Sequence, residues 1–205
     1  MSQPVKSISK LSRAVGEKLF LKGERDLGPK NAMVRRPFPP GQHGQSRRGK
    51  QSDYGKQLME KQKARYIYGL AEKQMRRMFK IASRSKESTG LKLLQLLEAR
   101  ADNIVYRAGF ADSRRQARQT ISHGSYTLNG KRIKTCSIIL KPGETLKQVK
   151  SLAREEVVKK KQEMPEWLQV DSSAKTIKMV ASPSRAQIVT TLEEQLIVEY
   201  YSRLV

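Results

Sequence analysis

Cysteine is almost absent from this chain. Cys136 is the single one in 205 residues, which excludes an internal disulfide framework and fits a reducing cytosol. Histidine is nearly as scarce: His43 and His123 lie 80 positions apart, and no cysteine precedes Cys136. A structural zinc site needs four nitrogen or sulfur ligands, so no metal site is expected, and no other cofactor. No apolar run approaches the roughly 20 residues that cross a bilayer. The opening Met1-Ser2-Gln3-Pro4 begins no apolar signal core, and no membrane is expected as a partner. The largest shortage is of negative charge, with 19 Asp and Glu against 42 Lys and Arg, for a net charge of +23.

A surface that positive attracts phosphates regardless of sequence and releases their condensed counterions on binding. A nucleic acid is therefore the first partner to consider. Hydrophobic residues make up 37% of the chain, enough for small cores but not for one large one, and they come in separated blocks that suit two modest domains. Residues 1 to 50 hold 12 basic and 3 acidic residues, with prolines at 29, 37, 39 and 40. Residues 1 to 49 read as a basic extension, loop rather than fold, and ordered on RNA.

From Ser52 the pattern turns helical. Leu58, Ile67, Leu70, Met75, Met78, Phe79 and Ile81 supply two helices that break at Gly69, and Leu91, Leu94 and Leu97 recur at helical spacing in a third. Residues 98 to 164 read as a helix-turn-helix followed by a small antiparallel sheet. Gly109 and Phe110 close one helix, Ser113 caps the next with Gln116 completing a capping box, and Gly124 stops it. Asn129-Gly130 between Tyr126-Thr127-Leu128 and Lys131-Arg132-Ile133 is a strong hairpin signal, because both turn positions need positive φ. Ser137 to Leu140 and Thr145 to Val149 read as further strands around a Lys141-Pro142-Gly143-Glu144 turn, and Lys150 to Glu163 as a charged helix. Residues 165 to 180 form a strand-containing connection in which Trp167 is a packing anchor. The last 20 residues return to helix, with Leu192, Leu196, Ile197, Tyr200 and Tyr201 packing on the helical block of residues 50 to 97, so that 181 to 205 complete that domain. The fold class is α+β.

The informative constellation is Asp112 to Gln119. At about 100° per residue, Arg114, Arg115 and Arg118 share one arc, while Ala117 and Ile121 occupy the adjoining face. The helix is expected to present three guanidiniums, whose planar forks hold phosphates bidentately and stack on bases. A solvated charged face is the plain alternative. The neighbouring hairpin cations Lys131, Arg132 and Lys134 favour RNA, since they carry the charge onto a second element.

These residues also carry a resemblance. The run Asp102-Asn103-Ile104-Val105-Tyr106-Arg107-Ala108-Gly109-Phe110, then Ser113 to Gln119 and Ser122-His123-Gly124, resembles the S-four RNA-binding domain. That domain also occurs on pseudouridine synthases and tyrosyl-tRNA synthetases. The flanks decide: Pro40-Gly41-Gln42-His43-Gly44, Ser52 to Leu58, Ile67-Tyr68-Gly69, Pro165-Glu166-Trp167-Leu168 and Leu196 to Ser202 are similar to the bacterial ribosomal protein S-four family over roughly residues 40 to 205. The resemblance implies a structural constituent of the small ribosomal subunit, in the cytoplasm. Such a protein is a primary binder of the five-prime domain of small-subunit rRNA that nucleates assembly and, with ribosomal protein S-five, contributes to accuracy. It further implies other small-subunit proteins as neighbours, and messenger RNA where it enters the subunit.

Charge and resemblance together nominate His43, Arg47, Arg48, Lys50, Lys56, Arg65, Arg107, Arg114, Arg115, Arg118, His123, Lys131, Arg132 and Lys134 as RNA contacts. His123 reads equally as a helix C-cap. No enzyme is expected. Arg100-Ala101-Asp102 resembles the catalytic aspartate segment of pseudouridine synthases, but Asn103 to Tyr106 continue an apolar helix, and Asp102 reads as a structural partner for a nearby arginine. A free RNA chaperone built on the same domain is the alternative, and it would not need the flanking motifs.

Overall fold

A computed structural model describes residues 7–46, 49–150 and 164–204, so the segment read as a charged helix before Pro165 lies outside the described residues save for Lys150. The chain divides into two compact units. One is Met1–Gly90 with Thr190–Val205, and the other is Leu91–Val189.

In the first unit the stretch expected to be loop contains helix. The short helix α1 (Ile8–Val15) buries Leu11 and ends at Gly16, and α2 (Ala32–Arg35) is one turn capped by the Asn31 side chain, which accepts from the Met33 amide at 2.8 Å. The reason is local. Pro4 precedes α1 and the other four prolines of the stretch lie beyond it, so a composition averaged over 50 residues hides eight residues with no helix breaker among them. The proline-rich turn that follows is held by Arg13. Its Nε and Nη2 donate to the carbonyls of Phe38 and Pro39 at 2.9 and 3.1 Å, and the guanidinium lies 4.9 Å from the Phe38 ring centre. At Gly44 any Cβ would collide with the Pro39 carbonyl, so glycine is required where the turn folds back on itself.

The long helix α3 (Asp53–Tyr68) is capped by Ser52, whose hydroxyl accepts from Gly55, and ends at Gly69 as its spacing predicts. After it comes α4 (Glu72–Ser83), burying Met75, Met78, Phe79 and Ala82. The C-terminal helix α8 (Glu194–Ser202) is shorter than the 20 residues expected, and Leu192 precedes it. It packs on α3: Gln57 Nε2 donates to Glu199 at 2.8 Å, and Tyr54 lies 5.8 Å from Tyr200 between ring centres. Phe79 of α4 lies 5.0 Å from Tyr201. Two lysines of α3 are buried among these elements. Lys61 pairs with Glu72 at 2.9 Å and sits 4.7 Å from the Tyr200 ring centre, and Lys63 bridges Glu17 and the Thr191 carbonyl.

Helix α5 (Thr89–Glu98) leads into the second unit, which holds α6 (Ala101–Arg107) and α7 (Arg114–Ser122) against an antiparallel sheet. Its strands are β1 (Tyr126–Leu128), β2 (Lys131–Ile133), β3 (Thr145–Gln148), β4 (Leu168–Asp171) and β5 (Thr176–Met179), in the order β2-β1-β3-β5-β4. The Asn129-Gly130 turn has φ of 47° and 84°, the positive pair that joins β1 to β2. Alternation sends Tyr126, Leu146, Ile177 and Met179 into a core with Ile104, Val105, Ala117, Ile121 and Trp167. Trp167 is 3% exposed, as a packing anchor should be. Residues 165 to 180 therefore supply two strands of this sheet.

Two local expectations change. Ser137 to Leu140 forms no strand, only an isolated bridge between Ile139 and Arg100. Its backbone groups go to the start of α6 instead: the Ile138 carbonyl accepts from Ala101 at 2.8 Å, the Cys136 carbonyl from Asp102 at 3.3 Å, and Leu140 donates to Ala99. They satisfy helix donors that would otherwise lack partners. Around α7 the Ser113 hydroxyl accepts from the Gln116 amide as expected, but Gln116 Oε1 reaches back to the amide of Asp112 at 2.8 Å, one residue beyond the cap.

Candidate RNA interface

The arginines of the second unit are organised by acids from the end of α5 and the start of α6. Glu98, 1% exposed in its side chain, accepts from Arg107 Nε and Nη2 at 2.9 and 2.8 Å in a bidentate pair, and from Asn103 Nδ2 at 2.7 Å. Asn103 Oδ1 in turn accepts from Arg114 Nε at 2.7 Å, and the Arg114 guanidinium lies 4.5 Å from the Tyr106 ring centre. Asp102 receives two arginines. Arg100, itself buried, donates at 3.0 and 2.9 Å, and Arg118 donates through Nε at 3.1 Å and Nη2 at 2.6 Å. Three guanidiniums thus meet two carboxylates, their planar forks fixed in orientation by charge-assisted bonds, and a fourth, Arg114, is held by the Asn103 amide oxygen.

This geometry corrects the picture of three equivalent guanidiniums on α7. Arg114 and Arg118 are half-buried and engaged with α6, while Arg115 is exposed and makes no side-chain hydrogen bond or ion pair among the described residues. Asp102 pairs with arginine as its sequence context predicts. Beyond α7, His123 is exposed at the helix C-cap. At Gly124, φ of +69° and the approach of Arg132 both demand glycine: Arg132 Nε donates to the Gly124 carbonyl at 2.7 Å, and a Cβ there would meet the same nitrogen at 2.7 Å. Lys131, Arg132 and Lys134 are exposed along the hairpin.

The sheet adds cations that residue patterns alone did not nominate. Thr127 pairs with Arg132 on one side and Lys147 on the other, and Lys178 pairs with Thr145 and Gln169. Arg132, Lys147 and Lys178 therefore lie on the face opposite Tyr126, Leu146 and Ile177, and all three are exposed. The signal was present in the alternation of Thr145-Leu146-Lys147-Gln148 and Thr176-Ile177-Lys178-Met179, but strand order is needed to know that the two runs are neighbours. Burial pushes the Tyr126 hydroxyl up to about 12.

In the first unit the nominated residues are scattered. His43 is exposed in the turn before Ser46, whose amide donates to the His43 carbonyl. Lys50 is exposed, and Lys56 makes only an exposed pair with Asp53 at 3.0 Å. Arg65 is turned inward, pairing with Glu72 at 3.0 Å and donating to Gln62. Arg47 and Arg48 lie outside the described residues. Among the described residues no group of three His, Cys, Asp or Glu could hold a metal ion, and no helix is long and apolar enough to cross a membrane.

Comparison with known proteins agrees with the motif order. The family described as "Ribosomal protein S4/S9 N-terminal domain" matches residues 5–98, and the "S4 domain" matches residues 99–146. The chain is 48% identical over 202 residues to the small ribosomal subunit protein uS4 of Natranaerobius thermophilus, covering 96% of this chain and 97% of that one. It is 47% identical to the protein of that name from Syntrophomonas wolfei, over 99% and 100% of the two chains. To that of Thermus thermophilus it is 44% identical, again over 99% and 100%. The similarity runs through the N-terminal segment, wider than the span from residue 40 that the motifs mark.

Proposed function

The chain belongs to the small ribosomal subunit protein uS4 family, and from that premise we propose that it organises small-subunit rRNA by binding, with no chemistry of its own. It is a structural constituent of the small subunit, binds small-subunit rRNA beside other small-subunit proteins, and acts in the cytoplasm within the ribosome. We further propose that it binds the five-prime domain as a primary protein and nucleates assembly. In this reading it neighbours ribosomal protein S-five in decoding accuracy and lies near messenger RNA where that strand enters the subunit.

The observation that carries the binding mode is the division of labour among the cations. Arg107, Arg114 and Arg118 are oriented by Glu98, Asn103 and Asp102, while Arg115, His123, Lys131, Arg132 and Lys134 stand exposed beside them. We assign the first group to a fixed shape and the second, with Lys147 and Lys178, to phosphate contact. His43, Lys50 and Lys56, with Arg47 and Arg48, are assigned to contacts of the first unit, and Arg65 is assigned to its frame. Asp102 supports the reading without catalysis, because the carboxylate with the best claim to act as a catalyst is 3% exposed in its side chain and held by two arginines.

The test is binding of purified protein to the five-prime domain of small-subunit rRNA and to a length-matched unrelated RNA across a salt series. Counterion release alone makes both affinities fall together. A preference for the ribosomal fragment that persists at higher salt supports a shaped site. Equal affinities at every salt concentration would favour the free chaperone reading instead.

A further inference from the structure

Helix α4 has two faces. Met75, Met78, Phe79 and Ala82 are buried, while Lys73, Arg76, Arg77 and Lys80 are exposed. At about 100° per residue these four cations fall within one arc of roughly 100°. Against them lies the C-terminal end of the first unit. Tyr201 packs on Phe79 with ring centres 5.0 Å apart, and one turn on the Leu204 amide donates to the Tyr201 carbonyl at 3.0 Å. Between the two segments runs a groove of about 620 Å³, lined by the four cations with Phe79, Tyr201 and Leu204. The neighbouring acid, Glu72, is already engaged: it accepts from the Tyr201 hydroxyl at 2.9 Å, pairs with Lys61 at 2.9 Å and Arg65 at 3.0 Å, and lies 3.7 Å from Arg76. Lys73, Arg77 and Lys80 make no side-chain hydrogen bond or ion pair among the described residues, and Val205, next after Leu204, lies outside them.

We propose that this groove docks an acidic amphipathic helix of a partner protein. Charge complementarity sets the sign of the partner and its spacing. The cations stand at i, i+3, i+4 and i+7 along α4, so carboxylates at the same intervals on a facing helix meet them over roughly 10 Å of axis. The apolar part of the lining selects protein over nucleic acid. A single strand gains affinity by stacking its bases on open aromatic faces, whereas Phe79 and Tyr201 are 4% and 1% exposed and packed on each other. What the groove offers instead is Leu204, 53% exposed, beside the methylene stems of the lysines and arginines. Such a surface takes a leucine or phenylalanine anchor from the apolar face of a docked helix. Its volume lies within the range of sites that enclose a ligand group, roughly 300 to 1,000 Å³. A second copy of the chain is a poor occupant, because two molecules of charge +23 repel. The inference does not depend on the rRNA-binding role proposed above.

The experiment titrates the full chain with a labelled synthetic helix of about 14 residues, carrying glutamates at i, i+3, i+4 and i+7 and leucines on the adjoining face. Companion probes are the same peptide with serine in place of leucine, and a single-stranded oligonucleotide of equal charge. Fluorescence anisotropy compares the wild type with three variants. One changes Lys73, Arg77 and Lys80 together to glutamine, and one is Leu204→Ser. The third, a control, changes Lys10, Lys18 and Lys141 to glutamine and so removes the same charge from exposed positions elsewhere. Circular dichroism establishes that each remains folded, and the single change Arg77→Glu serves if the threefold groove variant does not. The site predicts a loss of peptide affinity of about tenfold or more in the groove variant, about threefold in Leu204→Ser, and less than about twofold in the control. The serine peptide should bind about tenfold more weakly than the leucine peptide. Oligonucleotide affinity should not change with Leu204→Ser. Equal losses in the groove and control variants would reduce the binding to net charge and overturn the site. Equal affinity for the serine and leucine peptides would overturn it as well. An oligonucleotide that loses as much as the peptide on Leu204→Ser would give the groove to nucleic acid instead.

Discussion

Apart from Arg100–Asp102, in which both members are buried, the two units bury opposite members of the ion pairs that reach their surfaces. In the first, Lys61 and Lys63 are 4% and 5% exposed in their side chains while their partners Glu72 and Glu17 reach 29% and 48%. In the second, Glu98 and Asp102 are buried at 1% and 3% while Arg107 and Arg118 keep 12% and 16%. An inward lysine is consumed as an internal staple and is lost to a polyanion. An inward acid fixes an arginine by one edge of its fork and holds the remainder toward the surface. Among cations, inward-facing ones stabilise the first unit and acid-oriented ones shape a surface of the second, although both units carry an excess of lysine and arginine over acid.

That contrast breaks most sharply at Asp102. Asp102→Ala leaves the buried Arg100 and the half-buried Arg118 without their carboxylate and should cost about 3–5 kcal/mol, read as a lowered denaturant midpoint for the second unit. A cost under about 1 kcal/mol would mean that the pair is replaceable by water. Lys61→Met should cost less, about 1–2 kcal/mol, because the orphaned Glu72 still has Arg65 at 3.0 Å and partial solvent. Burial raises the Glu72 carboxyl, but hydrogen bonds from Lys61 and Tyr201 and the charges of Lys61 and Arg65 outweigh it, so its folded pKa lies below its ordinary value. The stability it contributes is complete above that ordinary value and is lost as pH falls through the lowered one. Acid unfolding of Lys61→Met should therefore be less steep in that window than that of the wild type. Ser113→Ala removes the α7 cap and should cost about 1 kcal/mol. The smallest effect on stability, within about 0.5 kcal/mol, belongs to Arg115→Ala. That variant should nonetheless weaken rRNA binding and flatten its salt slope by about 1. An unchanged slope in a folded Arg115→Ala protein would remove Arg115 from the interface.

Much of the fold was legible because its signals are local. Gly69, Ser52, Ser113, Gly124 and Asn129-Gly130 act within a few residues of themselves, and each ends, caps or turns the chain where its spacing predicts. In the first 50 residues α1 is hidden by the average, since its eight residues are short beside a stretch whose proline and basic charge lie mostly outside it. The miss at Ser137 to Leu140 has another origin. An apolar run of four residues fits a strand, yet its backbone partners at Ala99, Ala101 and Asp102 lie more than 30 positions earlier.

By itself the sequence determined the charge excess, the helix and hairpin boundaries, and the order of motifs that marks the family, because each follows from nearest neighbours or from composition. Tertiary structure alone decided which cations face outward. Arg114, Arg115 and Arg118 share one arc of one helix, but burying Asp102 and Asn103 beside two of them sets those two apart from the third. Lys73, Arg77 and Lys80 share a groove with Tyr201 and Leu204 only once Phe79 of α4 and Tyr201 of α8 have packed together. The fate of a charge depends on the dielectric and the partners around it, and those are properties of contacts between distant residues.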